Sequence, residues 1–304
     1  MNLLHRTWQK IVPYQLLVFV RFLLEPKGLK ERRLAVLNHF KLLDLNTLEP
    51  DIQEALRYLK SHKFASFPFK WTEKYDTFIP DVLIDTENNR LYVLFEGKKM
   101  YFPQRYTETQ IIWAIRSIFK EQDPESAHLY LSEEFQVESG SIVVDAGVAE
   151  GNFALSVIDK AKRLYLIECE EEWVEALKLT FAPWKDKVVF IKKFLSDCDD
   201  DSSISIDSIL DPEDGEKYFI KMDIEGFEQK ALSGMKNLVS SGNSIKLNVC
   251  TYHHPNAFNE IENILTDFGF NCEASKGHVL FFQKGEEPSF RKVLIRAERP
   301  GELN

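Results

Sequence analysis

The chain has 304 residues, 44% of them hydrophobic and 28% charged, and carries a net charge of −10. That length predicts one large or two modest domains, and that composition an ordinary globular protein with enough apolar material for a core. With no dense block of Lys or Arg it is a poor candidate for wrapping nucleic acid, whose binding rests on neutralising phosphates. Cys169, Cys198, Cys250 and Cys272 share no CxxC spacing. Free thiols in a reducing cytoplasm are therefore expected, with no disulfide framework.

In chain order, the stretch 11–24 is strongly apolar but too short to cross a bilayer and broken by Pro13 and Arg21. No small-residue cleavage site follows, so it does not read as a signal peptide. It is expected to pack as a helix on its own protein or on a second copy, giving a homo-oligomer. Helical spacing recurs over 29–43 and 51–59, with Glu49-Pro50-Asp51 as a start signal. From Val82 the period becomes strand-like. Runs at 82–84, 91–95 and 100–102, separated by turns at Glu87-Asn88-Asn89 and Gly97, predict a β-meander. Helical spacing returns over 107–119.

From Ser141 onward strands and helices alternate. Strands are expected at 142–145, 163–168, 188–194, 218–223, 244–251, 270–273 and 278–283, with helices at 152–161, 171–182, 227–241 and 256–268. Such alternation predicts an α/β fold, a mainly parallel sheet covered on both faces. The last two strands, joined across Ser275-Lys276-Gly277, are expected to close the sheet as a hairpin. The expected organisation is a helical region 1–74, a meander and helix 75–138, a catalytic domain 139–285 and a tail 286–304.

Strand-end acids and glycine turns mark the ligand edge of such a sheet. After the first strand comes Asp145-Ala146-Gly147-Val148-Ala149-Glu150-Gly151, then Asn152 and Phe153 at a helix start. Gly147 permits a tight turn and Gly151 a close backbone approach. This is neither a GxGxxG nor a P-loop fingerprint. Glu168 ends the second strand, roughly 20 residues beyond the turn, where an acid can accept two ribose hydroxyls; Cys169 follows it. Ser196 and Asp197 end the third strand, placed for an adenine amino group. Each acid has an ordinary explanation as a cap or loop residue, and the signal is their coincidence at successive strand ends.

Asp223 ends the fourth strand, nearest the centre of the site, where a carboxylate can bind cofactor or acceptor or act as a base. Glu225 is expected to face the cavity and Glu228 to complement the helix dipole. Thr251-Tyr252-His253-His254 follows the fifth strand, with His253 as the competing base. No His, Cys and carboxylate spacing fits a ligand motif, so no metal is assigned. Trp71, Tyr75, Tyr101 and Tyr106 are read as core of the meander, while Arg291, Arg296 and Arg299 face either an anionic substrate or solvent.

Residues 143–153, 166–168, 204–209 (ISIDSI) and 219–228 (FIKMDIEGFE) together resemble the FkbM-type methyltransferases. The resemblance covers 141–283, and its specific part is the Asp-x-Glu-Gly-x-Glu turn at Asp223–Glu228. The family pattern has Gly-Ala-Asn-x-Gly in the first turn, where this chain has Gly147-Val148-Ala149-Glu150-Gly151, and Glu-Pro where it has Glu168-Cys169. The resemblance implies a class I methyltransferase-like, Rossmann-type sheet of seven strands and S-adenosyl-L-methionine as cofactor. It further implies O-methylation of a hydroxyl on a small molecule or glycan, a saccharide or other cell-envelope or secondary metabolite. Asp145, Gly147, Ala149, Glu150, Gly151, Asn152, Phe153, Glu168, Cys169, Ser196, Asp197 and Asp223 would then meet the cofactor, and Asp223, Glu225 and His253 would carry the chemistry. A nicotinamide-dependent oxidoreductase and a non-catalytic binding module on the same scaffold are the alternatives, the first disfavoured by the missing GxGxxG.

Overall fold

Residues 25–213, 215–283 and 286–301 are described by the computed structural model; the apolar stretch 11–24 lies outside them. Helix α1 (Lys27–Phe40) precedes α2 (Pro50–Leu59), which starts on Pro50 with Asp51 in its first turn. A proline there loses no hydrogen bond, and an acid meets the positive helix end. Ile52, Ala55, Leu56 and Leu59 form one buried stripe, packed with Val36, Phe40 and Leu280. A one-turn helix, α3 (Glu73–Asp76), leads to an antiparallel meander of β1 (Leu83–Asp85), β2 (Arg90–Phe95) and β3 (Lys98–Tyr101). Helix α4 (Glu108–Glu121) starts on a reciprocal cap between Thr107 and Gln110 and buries Ile111, Ile112, Ile115 and Ile118.

The chain then alternates. Apart from the short parallel pair β7 (Phe194–Leu195) and β8 (Ser203–Ile204), its strands are β4 (Ile142–Ala146), β5 (Arg163–Ile167), β6 (Val188–Ile191), β9 (Lys217–Met222), β10 (Ser244–Cys250), β11 (Asn271–Ala274) and β14 (Leu294–Arg299). They form one sheet in the order β11-β14-β10-β9-β4-β5-β6. Only β14 runs against its neighbours. This is the class I methyltransferase-like arrangement expected from the sequence. The connecting helices are α5 (Asn152–Val157), α6 (Glu171–Thr180), the single turn α7 (Ile206–Ile209), α8 (Glu228–Ser233), α9 (Lys236–Ser240) and α10 (Ala257–Asp267).

Alternate strand residues feed opposite faces. Val143, Leu164, Leu166 and Phe219 join α4, α5, α6 and the meander on one side. Val144, Ile220, Leu247 and Ile295 join α8, α9 and α10 on the other.

Three sequence expectations shift. The sheet does end in an antiparallel pair, but β11 pairs with β14 and not with 278–283. Strand β12 (Val279–Phe281) instead pairs with β13 (Ser289–Arg291) in a ribbon of its own. Its Leu280 is buried against α1 and α2, and the Leu280 amide donates to the Ser66 carbonyl. The apolar side chain follows the N-terminal helices rather than the sheet. The region 286–304 is accordingly no tail, since it supplies the seventh strand. Finally, the helix expected over 227–241 breaks at Gly234, where a β-carbon would lie 2.4 Å from the Ser196 carbonyl oxygen.

A chain ending at Lys292 would expose six paired residues of β10 along Ile245–Cys250. It should be recovered as aggregated or unfolded protein, because an uncovered apolar edge pairs with other chains. Circular dichroism and gel filtration check this, and a folded monomer would contradict it.

Candidate active site

A polar row crosses the middle of this apolar sheet at a single register. Asp145 of β4 lies opposite Lys221 of β9, Lys221 opposite Asn248 of β10, and Asn248 opposite Arg296 of β14. Residues opposite one another share a face, here the face toward α4. Lys221 Nζ sits 3.1 Å from Asp145 Oδ1, with the two side chains 4% and 1% exposed. It also donates to the Gly147 carbonyl at 2.6 Å. Asn248 donates to the Tyr130 carbonyl at 2.6 Å, and Arg296 to the Leu129 carbonyl at 2.6 Å. The row thus bolts down both the glycine turn and segment 128–130.

The turn after β4 follows from its glycines. Gly147 has φ +72°, and a β-carbon there would lie 1.9 Å from the Asp223 carbonyl oxygen. Ala149 also has positive φ, 45°, an unfavourable conformation for a residue with a side chain. Glu168 holds it: one carboxylate oxygen accepts from the Ala149 amide at 3.0 Å, the other from the Glu170 amide at 2.9 Å. Gly151 caps α5 at φ 79°, followed by Asn152 and the buried Phe153.

At the end of β9, Asp223 gathers donors. Tyr130 donates to Oδ2 at 2.8 Å and Tyr252 to Oδ1 at 3.2 Å. His253 Nε2 lies 3.3 Å from Oδ1, and His128 Nε2 3.6 Å from Oδ2. On its other side, His253 Nδ1 lies 3.1 Å from Glu228 Oε1. That oxygen also accepts from the amides of Ile224 and Gly226. From beneath, the Arg291 guanidinium donates to the carbonyls of Tyr252 and His253.

These neighbours fix the charges. Burial would push Asp223 up, but His253, Lys221 and His128 hold it well below the usual carboxylate range. Burial opposes charge on His253, yet Asp223 and Glu228 raise it to about 10. Burial dominates at His128 and lowers it to about 4. Lys221 loses to burial and gains more from Asp145 and Asp223, ending raised. Glu121, at the end of α4, is raised to about 8 by burial, with Glu150 and Asp223 adding repulsion. Burial likewise raises Glu150.

The structure therefore gathers Gly147, Ala149, Glu168 and Asp223 at one sheet edge. Glu150 lies within electrostatic reach of Glu168 and Lys221. The third strand ends at Ile191, earlier than the sequence suggests, and Ser196, which donates to Asp197 at 3.1 Å, follows the short strand Phe194–Leu195 outside the seven-stranded sheet, beside Gly234. Asp145 is fully buried beside Lys221. Glu225, expected in the cavity, has a 90% exposed side chain at the rim, 3.8 Å from His253. Its φ of 55° turns it outward, and Glu228 takes the inner place. Asp223 and Glu228 favour the charged form of His253, and Asp223 accepts a phenol on each oxygen. Arg291 and Arg296 are buried struts. His128 and Tyr130 escaped sequence reasoning, since 122–136 carries no periodic pattern, and Glu121 lies just past the helical run read over 107–119.

Residues 150–272 match the family described as the methyltransferase FkbM domain. Among solved structures, methyltransferase FkbM from Methylobacillus flagellatus is similar at 19% identity and TM-score 0.42, covering 62% of this chain and 54% of that one. The chain thus spans about half of that protein. Precorrin-6y C5,15-methyltransferase from Geobacter metallireducens aligns at 11% identity and TM-score 0.39, over 69% and 97% of the two chains. An rRNA methylase from Streptococcus thermophilus aligns at 12% and 0.34, over 54% and 89%. No curated protein sequence matches significantly.

Two outcomes follow from the electrostatics. Nitrogen-15 NMR should find both His253 nitrogens protonated from pH 7 to 9 and His128 neutral at pH 7. Because the folded value of His253 is raised from 6.5 to about 10, its stabilisation is full below about pH 6.5 and fades as pH rises through 10. Separately, Lys221→Met strands the buried Asp145 and should cost about 3–5 kcal/mol in urea unfolding, much of it recovered in the Lys221→Met/Asp145→Leu double variant. A single-variant loss under about 1 kcal/mol, within the range of exposed pairs, would show that the pair is immaterial.

Proposed function

From the match of residues 150–272 to the methyltransferase FkbM domain, we propose that the chain is an S-adenosylmethionine-dependent O-methyltransferase. The proposed acceptor is a hydroxyl of a saccharide or another cell-envelope or secondary metabolite. When bound, the cofactor supplies a methyl group made electrophilic by a positively charged sulfur. The observation that carries this reading is the pairing of a glycine turn braced by Glu168 with the donor-filled Asp223 at the adjoining strand end.

The residues suit such a cofactor chemically. Gly147, Ala149 and Gly151 form a turn whose backbone can be approached closely. Each Glu168 oxygen spends one lone pair on an amide and keeps another for a ribose hydroxyl. Ser196 and Asp197, just after the short strand Phe194–Leu195, would meet the adenine. Glu121 and Glu150, whose ionisation is suppressed by burial and mutual repulsion, would gain from a bound cation.

Tyr130 and Tyr252, held by Asp223, orient the acceptor oxygen; orientation and water exclusion supply most of the rate. A hydroxyl gaining a methyl group becomes strongly acidic, so its proton needs a path out more than a strong base. Glu225, at the rim beside His253, provides that path.

Calorimetry should detect S-adenosylmethionine binding, and Glu168→Ala should weaken it about 10–100-fold, the value of charge-assisted hydrogen bonds. Asp223→Ala should retain cofactor binding and lose turnover. Mass spectrometry of cell saccharides with and without the protein should show a missing methyl group. Absence of cofactor binding would overturn the whole reading.

A further inference from the structure

We propose that Glu228 is a positioning residue that fixes His253 as an N–H donor toward Asp223 and so sets the geometry of the acceptor side of the site. The inference rests on the methyl-transfer reading for its kinetic consequence and on the apo protein alone for its structural one. The Glu228 side chain is 2% exposed, too deep to serve merely as a solvated helix-end charge. Its Oε1 accepts from the amides of Ile224 and Gly226 and stands at ion-pair distance, 3.1 Å, from His253 Nδ1. The same contacts shape the turn that throws Glu225 outward.

His253 then stands between two carboxylates, 6% exposed, with its second nitrogen 3.3 Å from Asp223. The groups facing it are few. Asp223 and Glu228 flank it, and Glu225 lies 3.8 Å away at the rim. Tyr252 packs against its ring at 4.2 Å between centroids, His128 stands across Asp223, and Arg291 grips its carbonyl. With Glu228 charged, the imidazole keeps both protons. With Glu228 neutral, one of its two anionic supports is gone and the ring can present a lone pair to Asp223, which is repulsive. Tyr130 and Tyr252 would then lose their common anchor point.

The test is Glu228→Gln, which keeps volume and removes charge. NMR titration of the cofactor-free protein should show the His253 pKa falling by about one to three units, the effect of losing an adjacent opposite charge. In turnover assays kcat should fall about tenfold between pH 7 and pH 9 in the variant and stay nearly flat in the wild type, tracking an imidazolium displaced by about two units. KM for S-adenosylmethionine should change less than about twofold, because uniform binding is untouched. In a His253→Gln background the Glu228→Gln substitution should have no further kinetic effect, and Glu228→Asp should restore the wild-type pH profile.

An unchanged His253 titration in Glu228→Gln would overturn the proposal, as would equal kinetic losses in both backgrounds. So would a shift of the wild-type His253 resonances on adding Zn²⁺ or Mg²⁺ alone, which would make the cluster a metal site. Failure of S-adenosylmethionine to bind would sink the functional reading while leaving the titration result standing.

Discussion

The ion pair between Asp145 and Lys221 is the constraint from which the site is built. Two charges at 3.1 Å in the centre of an apolar sheet are not there for net stability, because desolvation offsets most of their attraction. What they fix is position. A one-residue slip of β9 against β4 would bury each charge without its partner, so the pair locks the register in which Ala146 meets Met222 and Asp223 emerges at the strand end. Lys221 then spends its remaining donors on the carbonyls of Ala146 and Gly147, tying the ligand turn to the same point. Asn248 and Arg296 extend the row and seat segment 128–130, which brings Tyr130 and His128 to Asp223.

From this frame the electrostatic character of the site follows. Asp223 is surrounded by two phenols and two imidazoles, so its carboxylate is held well below the usual range and organises donors. The nearest unsatisfied negative character lies at Glu121 and Glu150, whose ionisation is disfavoured in the absence of a cation. Under the proposed function, the buried acids would face a cationic cofactor and the donor-filled Asp223 the acceptor hydroxyl.

Much of this was legible in the sequence, and the exceptions have physical causes. The helices over 27–40, 50–59 and 108–121 and the central strands follow apolar periodicity, and Glu168 and Asp223 stand out as acids ending apolar runs. The seventh strand did not, because LIRAER carries arginines that ordinarily mean solvent, whereas Arg296 is a buried strut. Glu225 and Glu228 exchanged roles because their spacing gives no hint of a left-handed φ at 225, the angle that decides which faces inward. His128 and Tyr130 lie about a hundred residues before their partners on an irregular segment, where neither periodicity nor motif reveals a contact.

The two turns flanking the site share a device. Each contains a non-glycine residue in the left-handed region, Ala149 at 45° and Glu225 at 55°, at a cost of order 1 kcal/mol apiece. A buried glutamate holds each one. Glu168 accepts the Ala149 amide, and Glu228 accepts the amides on either side of Glu225. Both glutamates therefore do two jobs, bracing a strained backbone while presenting charge to the site. Any ligand that draws on Glu168 competes with, or completes, the hydrogen bonding that keeps the glycine turn in shape. Because a β-carbon at Gly147 would lie 1.9 Å from the Asp223 carbonyl oxygen, the turn and the strand end cannot shift independently. Under the proposed function, that close packing around one glycine would couple cofactor occupancy to acceptor geometry with no moving domain.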